Sequence, residues 1–216
     1  VMVRVKICGI KNIEDARAVA QLGADELGFH VGLQGGRSPL TAEEAASMIK
    51  ELPLSVSAVV VTSITDPKEL IDLAQTTGAA ILQLYGDASP IEIKEVKAAL
   101  PNLAIWKVIN ISDEASIALA KEYEGAADAI ALDTMNKETG ARGGSGKTHD
   151  WNISRHIVDS VSIPVILAGG LTPDNVADAV AQVPPAGVDV NSGVSNADGS
   201  KDLAKVKLFI ERAKGV

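Results

Sequence analysis

The chain has little of what several large classes of protein require. It contains one cysteine in 216 residues, so no disulfide can form within it. No stretch approaches the roughly 18 consecutive apolar residues that a transmembrane helix needs. Basic residues are in the minority, because 20 lysines and arginines face 28 acidic residues and the net charge is −8. We therefore expect neither a nucleic acid nor an anionic membrane as a partner.

Signals of export and of domain boundaries are also absent. No secretory signal is recognisable at the N-terminus, and together with the single cysteine this predicts a reducing, cytoplasmic compartment. No change in composition and no low-complexity stretch marks a linker, so we expect one domain over residues 1–216. The chain is 46% hydrophobic and 22% charged, which indicates a folded protein with a large core.

Apolar, strand-like runs alternate with segments of helical periodicity along the chain. Eight such runs are present: Val3–Ile7, Glu26–Val31, Val56–Val61, Ala80–Leu84, Ala104–Ile109, Ala127–Leu132, Pro164–Ala168 and Gly187–Val190. Several of the helical segments follow a residue suited to capping: Thr41, Asp66, Ser89, Asp150 and Thr172. Eight strand–helix units in a chain of this length predict an α/β protein, a single-domain (β/α)8 TIM barrel.

The rival architecture is a doubly wound open sheet of eight strands. Such sheets usually carry a glycine fingerprint after their first strand. The residues at that point, Gly9-Ile10-Lys11-Asn12, do not form one. The barrel is therefore the favoured interpretation.

Two strand ends carry side chains suited to acid–base chemistry. Cys8 follows the first strand and Asp133 follows the sixth. Active sites of barrels lie at the carboxyl ends of the strands, so both positions favour catalysis. By spacing alone, Cys8 could equally be a small buried apolar residue. Lys6 faces the same side of its strand and could support a thiolate or form an ion pair inside the barrel.

The sixth strand is followed by a long, glycine-rich loop, Thr134–His149. Its Gly-Lys-Thr sequence suggests a nucleotide-binding P-loop, but that motif needs a glycine where Ala141 stands. The remaining interpretations are a flexible surface loop and an active-site lid. The length of the loop favours the lid.

Two further glycine turns are candidates for binding phosphate. Gly169 and Gly170 follow the seventh strand, and Ser192 and Gly193 follow the eighth. Small residues let main-chain amides approach an anion closely, and barrels commonly bind phosphate with the loops after these two strands. The alternative is that the turns only connect strands to helices.

Together these segments resemble the phosphoribosylanthranilate isomerases of tryptophan biosynthesis, over essentially the whole chain. The stretches that carry the resemblance are Val5–Ile10, Gly28-Phe29 with Arg37, Gln83-Leu84 with Gly86, Leu132–Thr134, Gly143–Thr148, Asp150-Trp151, Gly169–Leu171, Val188–Val190, Ser192–Val194 and Lys201-Asp202. The resemblance implies an Amadori rearrangement of N-(5′-phosphoribosyl)anthranilate. It implies no cofactor and no metal.

The resemblance also implies a role for individual residues. Asp133 would be the acid that protonates the furanose oxygen, and Cys8 the base that removes the proton from C2 of the resulting iminium. Arg37 would hold the anthranilate carboxylate, and Asp189 would contact the substrate. The phosphate would lie at the turns after the seventh and eighth strands.

At four positions the chain departs from the residues usual in the family. Tyr85 stands in place of histidine, Asn191 of serine, His149 of phenylalanine and Ser195 of glutamate. The loop His30–Gly36 also differs in composition. Because these residues line the expected mouth of the barrel, two alternatives stay open: a related isomerase acting on another phosphorylated aminosugar, and a non-catalytic barrel that binds a phosphorylated metabolite. Monomer and homodimer are both compatible with the sequence.

Overall fold

The strands of the protein pair in the order in which they occur in the sequence. In the computed structural model, which describes residues 2–33, 40–134 and 148–215, they form a closed parallel barrel in which the eighth strand pairs with the first. The strands are β1 (Arg4–Ile7), β2 (Glu26–His30), β3 (Ser57–Thr62), β4 (Ile81–Leu84), β5 (Ala104–Ile111), β6 (Ala129–Thr134), β7 (Val165–Leu167) and β8 (Gly187–Val190). The predicted (β/α)8 TIM barrel is confirmed. That residues 1–216 form a single domain stays a prediction.

An α-helix follows each strand. The helices are α1 (Ile13–Gln21), α2 (Ala42–Ile49), α3 (Pro67–Thr77), α4 (Pro90–Ala99), α5 (Ala115–Tyr123), α6 (Trp151–Ser160), α7 (Val176–Gln182) and α8 (Leu203–Lys214). A short 3-10 helix, Ser192–Val194, lies between β8 and α8. Within the described ranges, no helix combines the length and the apolarity needed to cross a membrane.

Helix capping follows the sequence at four of the five predicted positions. The side chains of Thr41, Asp66, Ser89 and Asp150 each accept a hydrogen bond from an amide in the first turn of their helix. The prediction for Thr172 was wrong, because α7 begins only at Val176. The side chain of Asn175 accepts from the Thr172 amide and donates to the Gly170 carbonyl, which closes the segment as a turn before the helix starts.

The alternation of side chains along the strands produces two apolar layers. In β6, Ile130 and Leu132 point outward and pack in the core between the barrel and the helices. Ala129 and Ala131 point inward and belong to the cluster inside the barrel. Asp133 continues the inward series at the carboxyl end of the strand. The fold therefore presents this carboxylate to the mouth of the barrel.

The same alternation brings side chains from other strands to this mouth. Cys8, directly after β1, packs with the inner cluster, and Lys6 shares its face. In β2, Leu27 and Phe29 belong to the outer core, which leaves His30 on the inner face. Residues far apart in the sequence are thus collected at the carboxyl ends of neighbouring strands, where barrels bind their ligands.

Candidate active site

Asp133 is a buried carboxyl group held by two hydrogen bonds. The Tyr85 hydroxyl donates to its Oδ2 at 2.5 Å, and the main-chain amide of Thr134 donates to its Oδ1 at 2.7 Å. Burial raises the pKa of Asp133, and the two hydrogen bonds oppose that increase only in part. This carboxyl group therefore keeps its proton to a higher pH than an exposed aspartate does.

Cys8 is a buried thiol at the end of β1. Its Sγ lies 3.3 Å from Nε2 of His30. A Cβ atom at position 28 would lie 2.6 Å from that sulfur, so glycine is needed there to leave room for it. Burial raises the pKa of Cys8, while the positive charge of Lys6 acts in the opposite direction. The charges around the sulfur therefore decide how readily it forms a thiolate.

A buried ion pair lies beside the thiol. Lys6 Nζ is 2.7 Å from Asp189 Oδ2, and both side chains are almost fully enclosed. Burial alone would favour the neutral amine, but the negative charges of Asp189 and Cys8 outweigh it and raise the pKa of Lys6. Of the two sequence-based interpretations of Lys6, the ion pair is present, and the same ammonium also acts on Cys8.

The second oxygen of Asp189 has no hydrogen-bond partner among the described residues, although it is buried. An unpartnered buried oxygen is costly in a folded protein unless something else satisfies it. Asp189 also acts electrostatically on Asp133, Cys8 and Tyr85. The structure thus brings the predicted residues Cys8, Asp133 and Asp189 together in one site.

The two glycine turns meet at the ends of β7 and β8. Gly169 and Gly170 have φ angles of 86° and 67°, in the left-handed region that favours glycine. A Cβ atom at Gly193 would collide with the carbonyl oxygen of Leu171, so the second turn packs directly on the first. Within the described part of the chain, the amides of Gly169, Gly170, Ser192 and Gly193 donate to no acceptor. These four main-chain amides lie close together at the barrel mouth.

The first of these turns also borders the candidate acid, Asp133. A Cβ atom at Gly169 would lie 2.9 Å from Oδ1 of Asp133 and 2.7 Å from the Thr134 amide. A side chain at this position would therefore collide with Oγ1 of Thr134 and crowd the Asp133 carboxyl group. The candidate acid and the candidate phosphate turn are consequently in direct contact.

Lys201 is a site residue whose role the sequence did not reveal, because it appeared only as part of the resemblance. Its Nζ donates to Asn191 Oδ1 at 3.0 Å and to Ser195 Oγ at 2.9 Å. Burial lowers its pKa to about 8, and the charges of Cys8, Asp15 and Asp189 oppose that shift. Two of the four departures from the family, Asn191 and Ser195, are thus the hydrogen-bond partners of this lysine.

The other two departures connect to the candidate acid, Asp133. Tyr85 donates to Asp133 directly. His149 Nδ1 lies 3.0 Å from Thr134 Oγ1, and its Nε2 lies 2.6 Å from Ser154 Oγ. Burial lowers the pKa of His149 to about 4, so the ring is neutral. A hydrogen-bonded chain therefore runs from the residue beside Asp133 to the buried side of α6.

Two predicted features lie outside the described residues. One is Arg37, which the resemblance assigned to the anthranilate carboxylate. The other is the glycine-rich part of the loop, residues 135–147, which was interpreted as a lid. Both stay predictions.

Comparison with known proteins identifies the family. The sequence model described as N-(5'phosphoribosyl)anthranilate (PRA) isomerase matches residues 5–212. The N-(5′-phosphoribosyl)anthranilate isomerase of Methanocella arvoryzae is 42% identical over 214 residues, which is 99% of each chain. The chain belongs to the phosphoribosylanthranilate isomerase family. It is therefore an enzyme of the isomerase class, and the resemblance to the enzymes of tryptophan biosynthesis is confirmed.

Solved structures of the family share the whole barrel. Phosphoribosylanthranilate isomerase from Thermotoga maritima superposes with a TM-score of 0.88 at 35% identity, over 100% of both chains. A family structure in complex with reduced 1-(o-carboxyphenylamino)-1-deoxyribulose 5-phosphate gives a TM-score of 0.86 at 32% identity, again over 100% of both chains. The resemblance of the fold thus includes every strand that carries a site residue.

The buried ion pair predicts that replacing one of its two partners destabilises the protein much more than replacing both. Lys6→Met should lower the free energy of unfolding by about 3–5 kcal/mol, because it leaves the Asp189 carboxylate buried and unpaired. The double variant Lys6→Met/Asp189→Asn should recover most of that loss, because no charge then remains without a partner. Denaturant unfolding of the three proteins measures both effects.

The matched control is Lys207→Met, which removes the exposed lysine that lies 3.8 Å from Glu211 on α8. It should cost less than about 1 kcal/mol, as exposed ion pairs usually do. Equal destabilisation by Lys6→Met and Lys207→Met would contradict the energetic importance of the buried pair.

Proposed function

We propose that the chain converts N-(5′-phosphoribosyl)anthranilate to 1-(2-carboxyphenylamino)-1-deoxyribulose 5-phosphate, with Asp133 as general acid and Cys8 as general base. Membership of the family supplies the reaction. The observation that supports the division of roles is the placement of the two groups at the inner ends of β6 and β1. One is a carboxyl group whose pKa is raised, and the other is a thiol next to a buried lysine.

The first step needs a carboxylic acid that still carries its proton near neutral pH. Burial of Asp133 favours that form. Asp133 donates its proton to the furanose oxygen, the C1–O bond breaks, and the anilino nitrogen supplies the electron pair that forms the iminium. The Tyr85 hydroxyl and the Thr134 amide then stabilise the carboxylate that remains.

The second step needs an anionic base. The Cys8 thiolate removes the proton from C2, and the C–H electrons form a C1=C2 double bond while the iminium nitrogen takes back its pair. The resulting enol becomes the ketone when C1 gains a proton and the hydroxyl on C2 loses its own. Lys6 favours the thiolate, and its ion pair with Asp189 keeps the ammonium charged inside the barrel.

The remaining contacts would position the substrate. We assign the phosphate to the amides of Gly169, Gly170, Ser192 and Gly193, which have no acceptor in the described part of the chain. The unpartnered oxygen of Asp189 is suited to a sugar hydroxyl. Arg37 is assigned to the anthranilate carboxylate, since a guanidinium binds a carboxylate through two hydrogen bonds.

Cellular location and assembly follow only in part from these observations. We propose a cytoplasmic enzyme, as the sequence predicts, acting on a small phosphorylated molecule. A solved relative from Thermotoga maritima is described as a dimeric isomerase from which monomers were generated. For this chain the prediction stays monomer or homodimer, and analytical ultracentrifugation distinguishes the two.

Replacing the acid tests the proposed reaction. Asp133→Asn should lower kcat by about 10²–10⁴-fold, the usual contribution of a general acid, because the amide keeps the shape of the group but its N–H protons are too weakly acidic to be transferred. Binding of a reduced product analogue should change by less than about tenfold, because the phosphate turns are untouched. Steady-state turnover and calorimetry measure the two quantities.

The control for this variant is Asp72→Asn, which changes an exposed aspartate on α3 and should leave turnover unchanged.

In vivo, the wild-type chain should restore growth to a tryptophan auxotroph that lacks this isomerase, and Asp133→Asn should not. Near-wild-type turnover by Asp133→Asn would remove Asp133 from the acid role, and failure of the wild-type chain to turn over the substrate would refute the proposed function.

Tyr85→Phe should move the alkaline limb of the pH profile of kcat/KM to higher pH. The hydroxyl stabilises the carboxylate of Asp133 and so holds its pKa down, which means that its removal raises that pKa. The acid then keeps its proton over a wider range. Tyr85 itself does not cause the limb, because burial and neighbouring negative charge hold its pKa well above 10. An unchanged limb, or one moved to lower pH, would contradict the role of Asp133.

A further inference from the structure

One contact at the barrel mouth has no part in the two steps above. Nε2 of His30 lies 3.3 Å from Sγ of Cys8, which is within hydrogen-bonding distance for sulfur. His30 is the last residue of β2, and β2 pairs directly with β1. The contact therefore joins the tips of two adjacent strands.

The backbone arrangement fixes this contact. Residues 27 and 29 pack in the outer core, so the chain must turn residues 28 and 30 toward the inside of the barrel. At position 28 glycine leaves the space that the sulfur of Cys8 occupies. Two residues further on, Nε2 of the His30 ring lies 3.3 Å from the same sulfur. The position of the imidazole is thus set by strand geometry.

The charges around Cys8 and His30 favour one distribution of protons between the two side chains. Burial and the positive charges of Lys6, Lys201 and Lys11 lower the pKa of His30 to about 4, so the ring is neutral at neutral pH. Burial raises the pKa of Cys8, and Asp189 adds to that increase, whereas Lys6 and Lys201 oppose it by favouring the thiolate. A proton transferred from the sulfur to the ring would create a cation beside three ammonium groups. A thiolate facing a neutral ring avoids that repulsion.

The titratable groups that act on the pair come from several elements: Lys6 from β1, Lys11 from the following loop, Tyr85 from the end of β4, Asp189 from β8 and Lys201 from the segment before α8. Three of the five are cations. Their combined field therefore stabilises negative charge at the sulfur and disfavours positive charge on the ring.

We propose that His30 is a positioning residue for Cys8: its neutral ring donates the Nε2–H hydrogen to the thiolate and holds the sulfur toward the substrate. The inference rests on the base role proposed for Cys8. A neutral donor stabilises the anion without adding a charge that would compete with Lys6. It also fixes one rotamer of a short side chain that could otherwise turn away from the substrate.

The single cysteine of the chain makes a direct test possible, because thiol alkylation reports on Cys8 alone. The rate of alkylation by iodoacetamide is measured against pH for the wild type, His30→Phe and His30→Gln. His30→Phe keeps a ring but removes the hydrogen-bond donor. The titration of the Cys8 thiol should therefore move to higher pH, and the alkylation rate near pH 7 should fall about tenfold. His30→Gln can donate from a similar position and should recover most of the rate.

Turnover supplies the second readout. In His30→Phe, kcat near pH 7 should fall about tenfold with little change in KM, and the loss should shrink as rising pH restores the thiolate. A purely structural role would give a loss that does not depend on pH. The control His156→Phe, at an exposed position of α6, should change neither the thiol titration nor kcat.

A third measurement uses the unmodified protein and so does not depend on the folding of any variant. With three histidines in the chain, nitrogen NMR can assign the ring of His30. The proposal requires a neutral ring protonated at Nε2 from about pH 6 to about pH 9. A ring protonated at Nδ1, a charged ring near pH 7, or an alkylation profile of His30→Phe equal to that of the wild type would overturn it.

Failure of this inference can be distinguished from failure of the proposed function by Cys8→Ala. If folded Cys8→Ala turns over substrate at nearly the wild-type rate, the base role is wrong and the positioning of the sulfur has no catalytic meaning. If Cys8→Ala is inactive while His30→Phe titrates and turns over like the wild type, the base role stands and only the inference about His30 is refuted.

Discussion

The site depends on one interaction, the buried ion pair between Lys6 and Asp189. The two residues are paired neighbours across β1 and β8, the seam at which the barrel closes. Burying two charges is costly, so such a pair is weak evidence of stability and calls for another reason. Here the ammonium lies beside Cys8 and favours its thiolate, and the second oxygen of Asp189 has no hydrogen-bond partner among the described residues. In the proposed function the pair serves both chemistry and substrate contact.

The candidate acid and the candidate base lie in different surroundings. Asp133 is buried and receives two hydrogen bonds, but no cation lies within ion-pairing distance of it among the described residues, so its protonated form persists. Cys8 is equally buried, but Lys6 and Lys201 favour its anion and His30 contacts its sulfur. Burial raises the pKa of both groups. At Cys8 the main opposing influence is the positive charge of Lys6, whereas at Asp133 it is the hydrogen bond from Tyr85.

Sequence patterns predicted the barrel because each strand repeats the same apolar alternation. They placed the end of β6 too early, at Leu132, because its last two residues, Asp133 and Thr134, are polar. Those residues stay in the strand because they pair with Asn110 and Ile111 of β5. The contacts of His30 with Cys8 and of Tyr85 with Asp133 were not predictable, because they join different strands and depend on how the barrel closes. Thr172 does not cap α7 because the side chain of Asn175 closes a turn at Thr172 before the helix begins.

The separation of acid and base is the central claim, and a kinetic isotope effect tests it most directly. Turnover of substrate carrying deuterium at C2 is compared with that of ordinary substrate in Cys8→Ser and in Asp133→Asn. A serine hydroxyl is a far weaker base than a thiolate, so removal of the C2 proton should limit Cys8→Ser and a full primary isotope effect should appear on kcat. In Asp133→Asn ring opening should limit instead, and the effect should be close to one. A primary effect in Asp133→Asn with none in Cys8→Ser would contradict the assignment of the two roles.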